Sequence, residues 1–228
     1  MQNTYILNIE TTTKNCSVSL SLNHKLIALE EVNDENYSHA ENLHPFIDKV
    51  LKQSEVDYSS LSAIAVSKGP GSYTGLRIGV SAAKGLCFAL DIPLISIDTL
   101  ESLAHCVSTQ DGVIIPLLDA RRMEVYQSVF SCDYKQIQPT KAQVVETDTY
   151  KHFLEKQKVH FVGDAVDKVQ TLISHTNALF IPNKLPSAQQ MPLLSFRKYQ
   201  ANDFEDIAYF EPYYLKDFIA IKSTKKYF

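Results

Sequence analysis

The sequence predicts an α/β protein of two lobes, each a mixed β-sheet with flanking helices. Three observations predict it. One order of elements, β-β-β-α-β-α-β-α, recurs along the chain. An acidic residue, Glu10 and then Asp119, ends the first apolar strand of each pass. Five of the seven glycines, Gly69, Gly71, Gly75, Gly79 and Gly85, crowd into seventeen residues between an apolar strand and a helix.

The first pass opens with the apolar strand 5–9, the polar turn Thr11-Thr12-Thr13-Lys14-Asn15 and the alternating strand 16–22. Asn23-His24 turns the chain into a strand at 25–32. Residues 39–54 predict a helix, because Ala40, Leu43, Ile47, Val50 and Leu51 recur at three- and four-residue steps and form one apolar stripe. Ser38 and Glu41 have the spacing of a capping box. Pro45 removes a backbone hydrogen bond and predicts a kink. Strand 61–66, helix 74–90, strand 93–97 and helix 100–107 complete the pass. The second pass runs through strands at 113–118, 123–130 and 142–146, a helix at 148–156, strand 159–162, helix 166–174 and strand 178–181. A further helix falls within 186–201. The boundary lies at 107/108, giving an N-terminal lobe of 1–107 and a C-terminal lobe of 108–228. This is the element order of the actin-like ATPase (ASKHA) superfamily. In such folds a cleft separates the lobes, and the first hairpin turn of each lobe points at ligand phosphates. The fold by itself delivers no function.

Composition narrows the classes. Apolar residues make up 45% of 228, enough for a sizeable core. No apolar run approaches the ~18 residues of a membrane helix, and the first residues lack the basic region of a signal peptide. Cys16, Cys87, Cys106 and Cys132 form no Cys-x-x-Cys pair and read as reduced thiols of a cytoplasmic protein. A formal net charge of −4 argues against a chain that grips RNA alone. Lys222, Lys225 and Lys226 read as a solvated end.

The glycine segment is Ser67-Lys68-Gly69-Pro70-Gly71-Ser72-Tyr73-Thr74-Gly75-Leu76-Arg77-Ile78-Gly79. Gly-Pro-Gly lets the main chain approach another surface, and the helix start beyond it offers free N–H groups to an anion. Gly75 and Gly79 share one helix face, so close packing of a neighbouring backbone is an equal reading. The segment is neither a Walker A motif nor a Gly-x-Gly-x-x-Gly fingerprint. Glu10, Thr11, Thr12, Gly69, Gly71, Ser72 and Asp119 are the candidate nucleotide- or anion-binding residues. Two readings of the acids stand: a two-carboxylate site for Mg-ATP, or caps for the N–H groups of their own turns.

The stretch 67–86 resembles the signature of the TsaB (YeaZ) family and of its larger relative TsaD (Kae1). Ile6-Leu7-Asn8-Ile9-Glu10-Thr11-Thr12-Thr13, Leu118-Asp119-Ala120-Arg121-Arg122-Met123-Glu124-Val125-Tyr126, Phe161-Val162-Gly163-Asp164-Ala165 and Pro212-Tyr213-Tyr214-Leu215 also resemble family segments. In TsaD a His-x-x-x-His pair binds the catalytic metal. Laid over that pattern, the two positions are Thr99 and Leu103 here, so no metal is expected and TsaB is favoured. His105 stands alone, and His39 and His44 are five apart.

The resemblance implies a scaffold without activity of its own. It would pair with TsaD, act with the ATPase TsaE, and serve threonylcarbamoyl transfer to adenosine of tRNAs reading codons that start with A. In isolation it would homodimerise, and it would meet tRNA only through the complex and no membrane. No tightly bound cofactor is implied, with ATP or ADP and Mg at the complex interface. The expected partner surface comprises Tyr37, Leu43, Phe46 and Val50 on the first helix and Gly75, Gly79, Ala82 and Ala83 on the second; the other reading of these faces is packing on the protein's own sheet, which some of them must do. The competing class is an enzyme of the same fold, a small-molecule kinase or a peptidase-like protein. No Ser/His/Asp constellation supports it.

Overall fold

The computed structural model describes residues 3–33 and 38–216. Its strands are β1 (Tyr5–Glu10), β2 (Asn15–Leu22), β3 (Lys25–Asn33), β4 (Leu61–Gly69), β5 (Leu94–Asp98), β6 (Val113–Asp119), β7 (Glu124–Ser131), β8 (Gln136–Val144), β9 (Val159–Gly163) and β10 (Ala178–Pro182). Its helices are α1 (His39–Gln53), α2 (Tyr73–Leu90), α3 (Thr99–Ala104), α4 (Lys151–Leu154), α5 (Val166–Gln170) and α6 (Met191–Gln200). They build two five-stranded sheets, ordered β3-β2-β1-β4-β5 and β10-β9-β6-β7-β8. In each, the first three strands run antiparallel, and the first strand pairs in parallel with the fourth. The repeat predicted from the sequence is therefore a repeat of topology, and the fold is the two-lobe ASKHA arrangement.

The central strands explain themselves. β1 is Tyr-Ile-Leu-Asn-Ile-Glu and is almost wholly buried, as a strand covered on both faces must be. On one face Leu7, Ile9, Val18 and Leu20 meet Leu43, Ile47 and Val50 of α1 and Val80, Ala83 and Cys87 of α2. On the other, Ile6, Ala63, Ala65, Ile95 and Ile97 meet Met191 and Leu194 of α6. In the second sheet, Ile115, Leu117, Val125 and Phe161 pack with Tyr150, Phe153, Val166 and Val169. The opposite face, through Ile114, Leu118, Phe130 and Val162, receives Leu100, Leu103 and Ala104 of α3.

Those last contacts correct the 107/108 boundary. It separates the sheets but not the helices: α3 precedes the boundary and packs on the second sheet, whereas α6 follows it and packs on the first. Smaller corrections have local causes. The capping box at Ser38 does not form. Ser38 sits at φ −73° and ψ 30°, outside the extended region a capping side chain needs, and its Oγ instead accepts from Asn42 Nδ2 at 2.6 Å. α4 and α5 are single turns, shorter than the periodicity predicts. β8 begins at Gln136, six residues before the expected start. It is an edge strand, and Gln136, Gln138, Thr140 and Lys141 give no apolar alternation to read. No helix among the described residues is long and apolar enough to cross a membrane. All four cysteines are free, and burial pushes the thiols of Cys16 and Cys106 up to about 11 and that of Cys87 to about 12, which makes them poor nucleophiles.

Candidate functional site

Glu10 ends β1 and is completely buried. Its Oε1 accepts the Thr12 N–H at 2.6 Å and the Thr12 hydroxyl at 2.5 Å, and its Oε2 accepts the Ser67 hydroxyl from the end of β4. Burial pushes its carboxyl above the usual range, against the pull of the hydrogen bonds from Ser67 and Thr12. The rest of the turn is tied as closely. Thr11 Oγ1 donates to the Gly75 carbonyl at 2.8 Å, Ser72 N–H donates to the Thr12 carbonyl at 2.7 Å, and His39 Nε2 donates to the Thr13 carbonyl at 2.7 Å. Thr11, Thr12 and Thr13 are all buried.

The glycines of the motif serve this contact. A Cβ on Gly71 would strike the Thr12 carbonyl, and one on Gly75 would strike the Thr11 carbonyl. Of the donors at the start of α2, Gly75 N–H is capped by Ser72 Oγ at 3.3 Å and Ser72 N–H is held by Thr12. Gly69 has φ +112° and donates its N–H to Thr99 Oγ1 at 3.1 Å. The structure thus brings Glu10, Thr11, Thr12, Gly69, Gly71 and Ser72 together, as packing partners of one another. A nucleotide with Mg, the group the fold class implies, does not fit here: the carboxylate is enclosed, and the turn donates inward.

Asp119 stands apart from that group, with no hydrogen bond or ion pair to it among the described residues. It ends β6, is exposed, and its Oδ1 accepts the Arg121 N–H and the Lys168 ammonium, the latter at 2.6 Å. Its own N–H donates to Asp164 Oδ1 at 2.9 Å. The protein packed around Asp164, and then neighbouring Asp119, push the Asp164 carboxyl up to about 6, although one edge of the residue stays open to solvent. Both acids therefore cap their own turns, and each takes a partner from the end of the parallel neighbouring strand. Sequence reasoning missed those partners, Ser67 and Asp164. The repeat contained the signal, because β4 and β9 occupy equivalent places beside β1 and β6.

A model of the family described as "TsaD: tRNA N6-adenosine threonylcarbamoyltransferase" matches residues 33–223. The chain belongs to this family. Within it, the chain is a TsaB/YeaZ-type member. TsaB of Bacillus subtilis is 38% identical over 125 residues, 55% of this chain and 54% of that protein. TsaB of Escherichia coli is 32% identical over 130 residues, 56% of this chain and 55% of that one. The chain thus spans about half the length of the curated relatives it matches. YeaZ from Pseudomonas aeruginosa superimposes with a TM-score of 0.77 at 24% identity, covering 93% of this chain and 100% of that one. The ethanolamine utilization protein EutJ from Carboxydothermus hydrogenoformans shares the fold at a TM-score of 0.52 and 10% identity, over 86% of this chain and 90% of its own.

Thr99 and Leu103, which the resemblance laid over the TsaD histidine pair, have structural employment here. Thr99 is the acceptor for Gly69 N–H, and Leu103 is buried among Leu118, Phe130 and Val162. The partner surface needs a correction. Leu43, Val50 and Ala83 are at most 1% exposed and face the protein's own sheet. Gly75 and Gly79 lie under Thr11. Phe46 and Ala82 are half-buried against the same core, and Tyr37 lies outside the described residues. The face that α1 and α2 leave open is instead a shallow groove lined by His44, Ile78, Ser81, Ala82, Gly85 and Leu86, with Phe88 beyond it at 83% exposure. The stripe faces inward, which bears out its reading as core packing and not as a partner surface.

Proposed function

We propose that the chain is a non-catalytic subunit in the biosynthesis of threonylcarbamoyladenosine on tRNA, and that it pairs with TsaD. The observation that carries this reading is the closed first turn. In a kinase of this fold the turn faces phosphate; here Glu10, Thr11 and Thr12 are consumed by Ser67, Gly75 and Ser72. Thr99 and Leu103, where TsaD has its metal ligands, support the same view. So do the relatives named TsaB. The open groove between α1 and α2, with exposed Phe88, supports association through that face, because large exposed apolar side chains at a helix groove mark docking surfaces. TsaE and a second copy of the chain are further proposed partners.

The test has two arms. The chain is mixed with TsaD from the same source, and association is followed by size-exclusion chromatography for the wild type, Ser81→Arg and Phe88→Asp. Both substitutions lie on the exposed side of α2, so the fold is expected to survive and association to weaken at least about tenfold, the loss of a modest interface anchor. Unchanged association would move the interface elsewhere. In the second arm, ATP turnover by the chain alone within the common enzyme range of ~1–10³ s⁻¹, abolished by Glu10→Ala, would sink the non-catalytic reading.

A further inference from the structure

The two faces of the first sheet differ in chemistry. Residues paired across neighbouring strands share a face. Toward α1 and α2 the pairs are Leu7 with Leu20 and Ile9 with Val18, beside Ile64 and Val66 of β4, all aliphatic. Toward α6 the pairs are Ile6 with Ser21, Asn8 with Ser19 and Glu10 with Ser17, and β4 adds Ala63, Ala65 and Ser67. All the polar side chains of that second face are buried.

The cover over the polar face is held largely by hydrogen bonds. Asn15 Nδ2 donates to the Pro186 carbonyl at 3.0 Å, Ala188 N–H donates to Ser17 Oγ at 3.1 Å, and Ser19 Oγ donates to the Ala188 carbonyl at 2.8 Å. Water can replace each of these at little net change in free energy. Asn8 Oδ1 and Gln190 Oε1 are buried without a hydrogen-bond partner among the described residues, which weakens the closed arrangement. The apolar contact is modest: Ala188, Met191 and Leu194 on Ile6, Ala63, Ala65, Ile95 and Ile97.

The covering segment is anchored at both ends. Before it, Pro182 pairs with Gly163 in β10 and β9. After it, Glu205 N–H donates to the Leu94 carbonyl at 2.9 Å, and the Glu205 carboxylate accepts the Ser96 hydroxyl. Just inside the anchors, Asn183 and Asn202 have positive φ, 59° and 54°. Asparagine tolerates that backbone, so each end carries a residue suited to a hinge. Met191, at the start of α6, lies over the sealed acid. Its Sδ is 3.9 Å from Ser67 Oγ, which donates to Glu10.

We propose that residues 184–201 form a flap that lifts from the first sheet while the rest of the protein stays folded, turning Glu10, Ser67 and the serines of β2 toward water. Burial disfavours the ionised form of Glu10, so its exposure favours lifting. Exposure of Ile95 and Ile97 opposes it and keeps the lifted state a minor one. The flap is independent of pairing with TsaD, because the chain can be tested alone.

The full chain is labelled with iodoacetamide at about pH 8 without denaturant, and modified peptides are counted by mass spectrometry. Ser19→Cys places a thiol beneath the flap. Cys16, on the same strand, and Cys87 of α2 are buried on the opposite face. A buried thiol reacts only when its cover opens, so the rate reports the opening. Expected is labelling of Ser19→Cys at least about 100-fold faster than of Cys16 and Cys87, the gap between a local and a global opening. Ser67→Cys should keep pace with Ser19→Cys, and the latter decides alone where loss of the Glu10 contact unfolds the former. Asn8→Leu replaces an unpaired amide with an apolar side chain and should slow the labelling of Ser19→Cys about tenfold. Equal rates at Ser19→Cys, Cys16 and Cys87 would leave only global unfolding. Cys16 reacting as fast as Ser19→Cys would mean that β2 frays. A folded Ser67→Cys as slow as Cys87 would leave Glu10 covered, and an unchanged rate in folded Asn8→Leu would remove the polar face as the cause. Each of these results overturns the proposal.

Discussion

The turn between β1 and β2 and the turn between β6 and β7 hold equivalent places in the repeat and meet opposite environments. The first is sealed: Glu10, Thr11 and Thr12 face Ser67, Gly75 and Ser72. The second faces water, with Asp119 ion-paired to Lys168 and two arginines exposed. One topology thus serves packing in one lobe and leaves a charged surface in the other. The difference teaches that one strand order can hold its first turn inside the core in one lobe and in water in the other.

The sharpest way to break that comparison is to remove both acids in parallel. Glu10→Ala leaves buried donors on Thr12 and Ser67 unmatched and should cost about 3 kcal/mol, as unpaired buried polar groups do. Asp119→Ala removes an exposed ion pair and should cost at most about 0.5 kcal/mol. Urea unfolding of both variants decides it, and equal losses would end the contrast between a sealed and an open turn.

A second pair of variants tests the glycines. Gly75→Ala drives a methyl group into the Thr11 carbonyl and should destabilise by about 2 kcal/mol, within the usual range for overpacking. Gly85→Ala meets nothing within 4 Å and removes a flexible residue from the same helix, so a gain of roughly 0.5–1 kcal/mol is expected. A loss at Gly85 comparable to that at Gly75 would show that the seal is not what requires glycine.

Two pH experiments sharpen the picture at smaller scale. Burial raises the folded-state pKa of Glu10 above 4.5, so its contribution is fully present below that value and is lost as pH rises through the folded pKa. Glu10→Gln mimics the neutral carboxyl and should cost less stability at pH 8 than at pH 4.5. His105 has the opposite sign. Burial, and then the Arg197 charge, hold it at about 4 against an ordinary 6.5, so its contribution is present above 6.5 and lost as pH falls toward 4. Its ring stacks on Tyr134 with centroids 3.9 Å apart, and its Nε2 is buried without a partner. His105→Phe should therefore keep the stacking and shrink the fall in Tm between pH 7 and pH 5. An unchanged fall would place the acid sensitivity elsewhere.

Much of the fold was legible in the sequence because its elements carry their own signals. The β1 run, the α1 stripe and the glycines after β4 each announce a strand, a helix or a close approach. The turn-capping role of Glu10 was legible as one of two readings, since a buried carboxylate followed by threonines supplies its own donors. What could not be read is decided at long range. β8 is polar because it lies at an edge. Leu43 and Val50 face the sheet, which spacing cannot distinguish from facing a partner. The destination of α6 depends on a sheet formed by residues far earlier in the chain.

The crossing of α3 and α6 gives the lobes a shared fate. A protein nicked at 107/108 would yield two fragments that each lack a covering helix and each carry the helix the other needs. Neither half should fold alone, because Ile95 and Ile97 in one and Ile114 and Val162 in the other would stand bare to water. Supplied together, the halves should reassemble without a covalent link, since each bared face finds its cover in the opposite piece. The interlobe joint is thus a clasp made of two interchanged parts, and a tether between the lobes is needed for proximity more than for architecture.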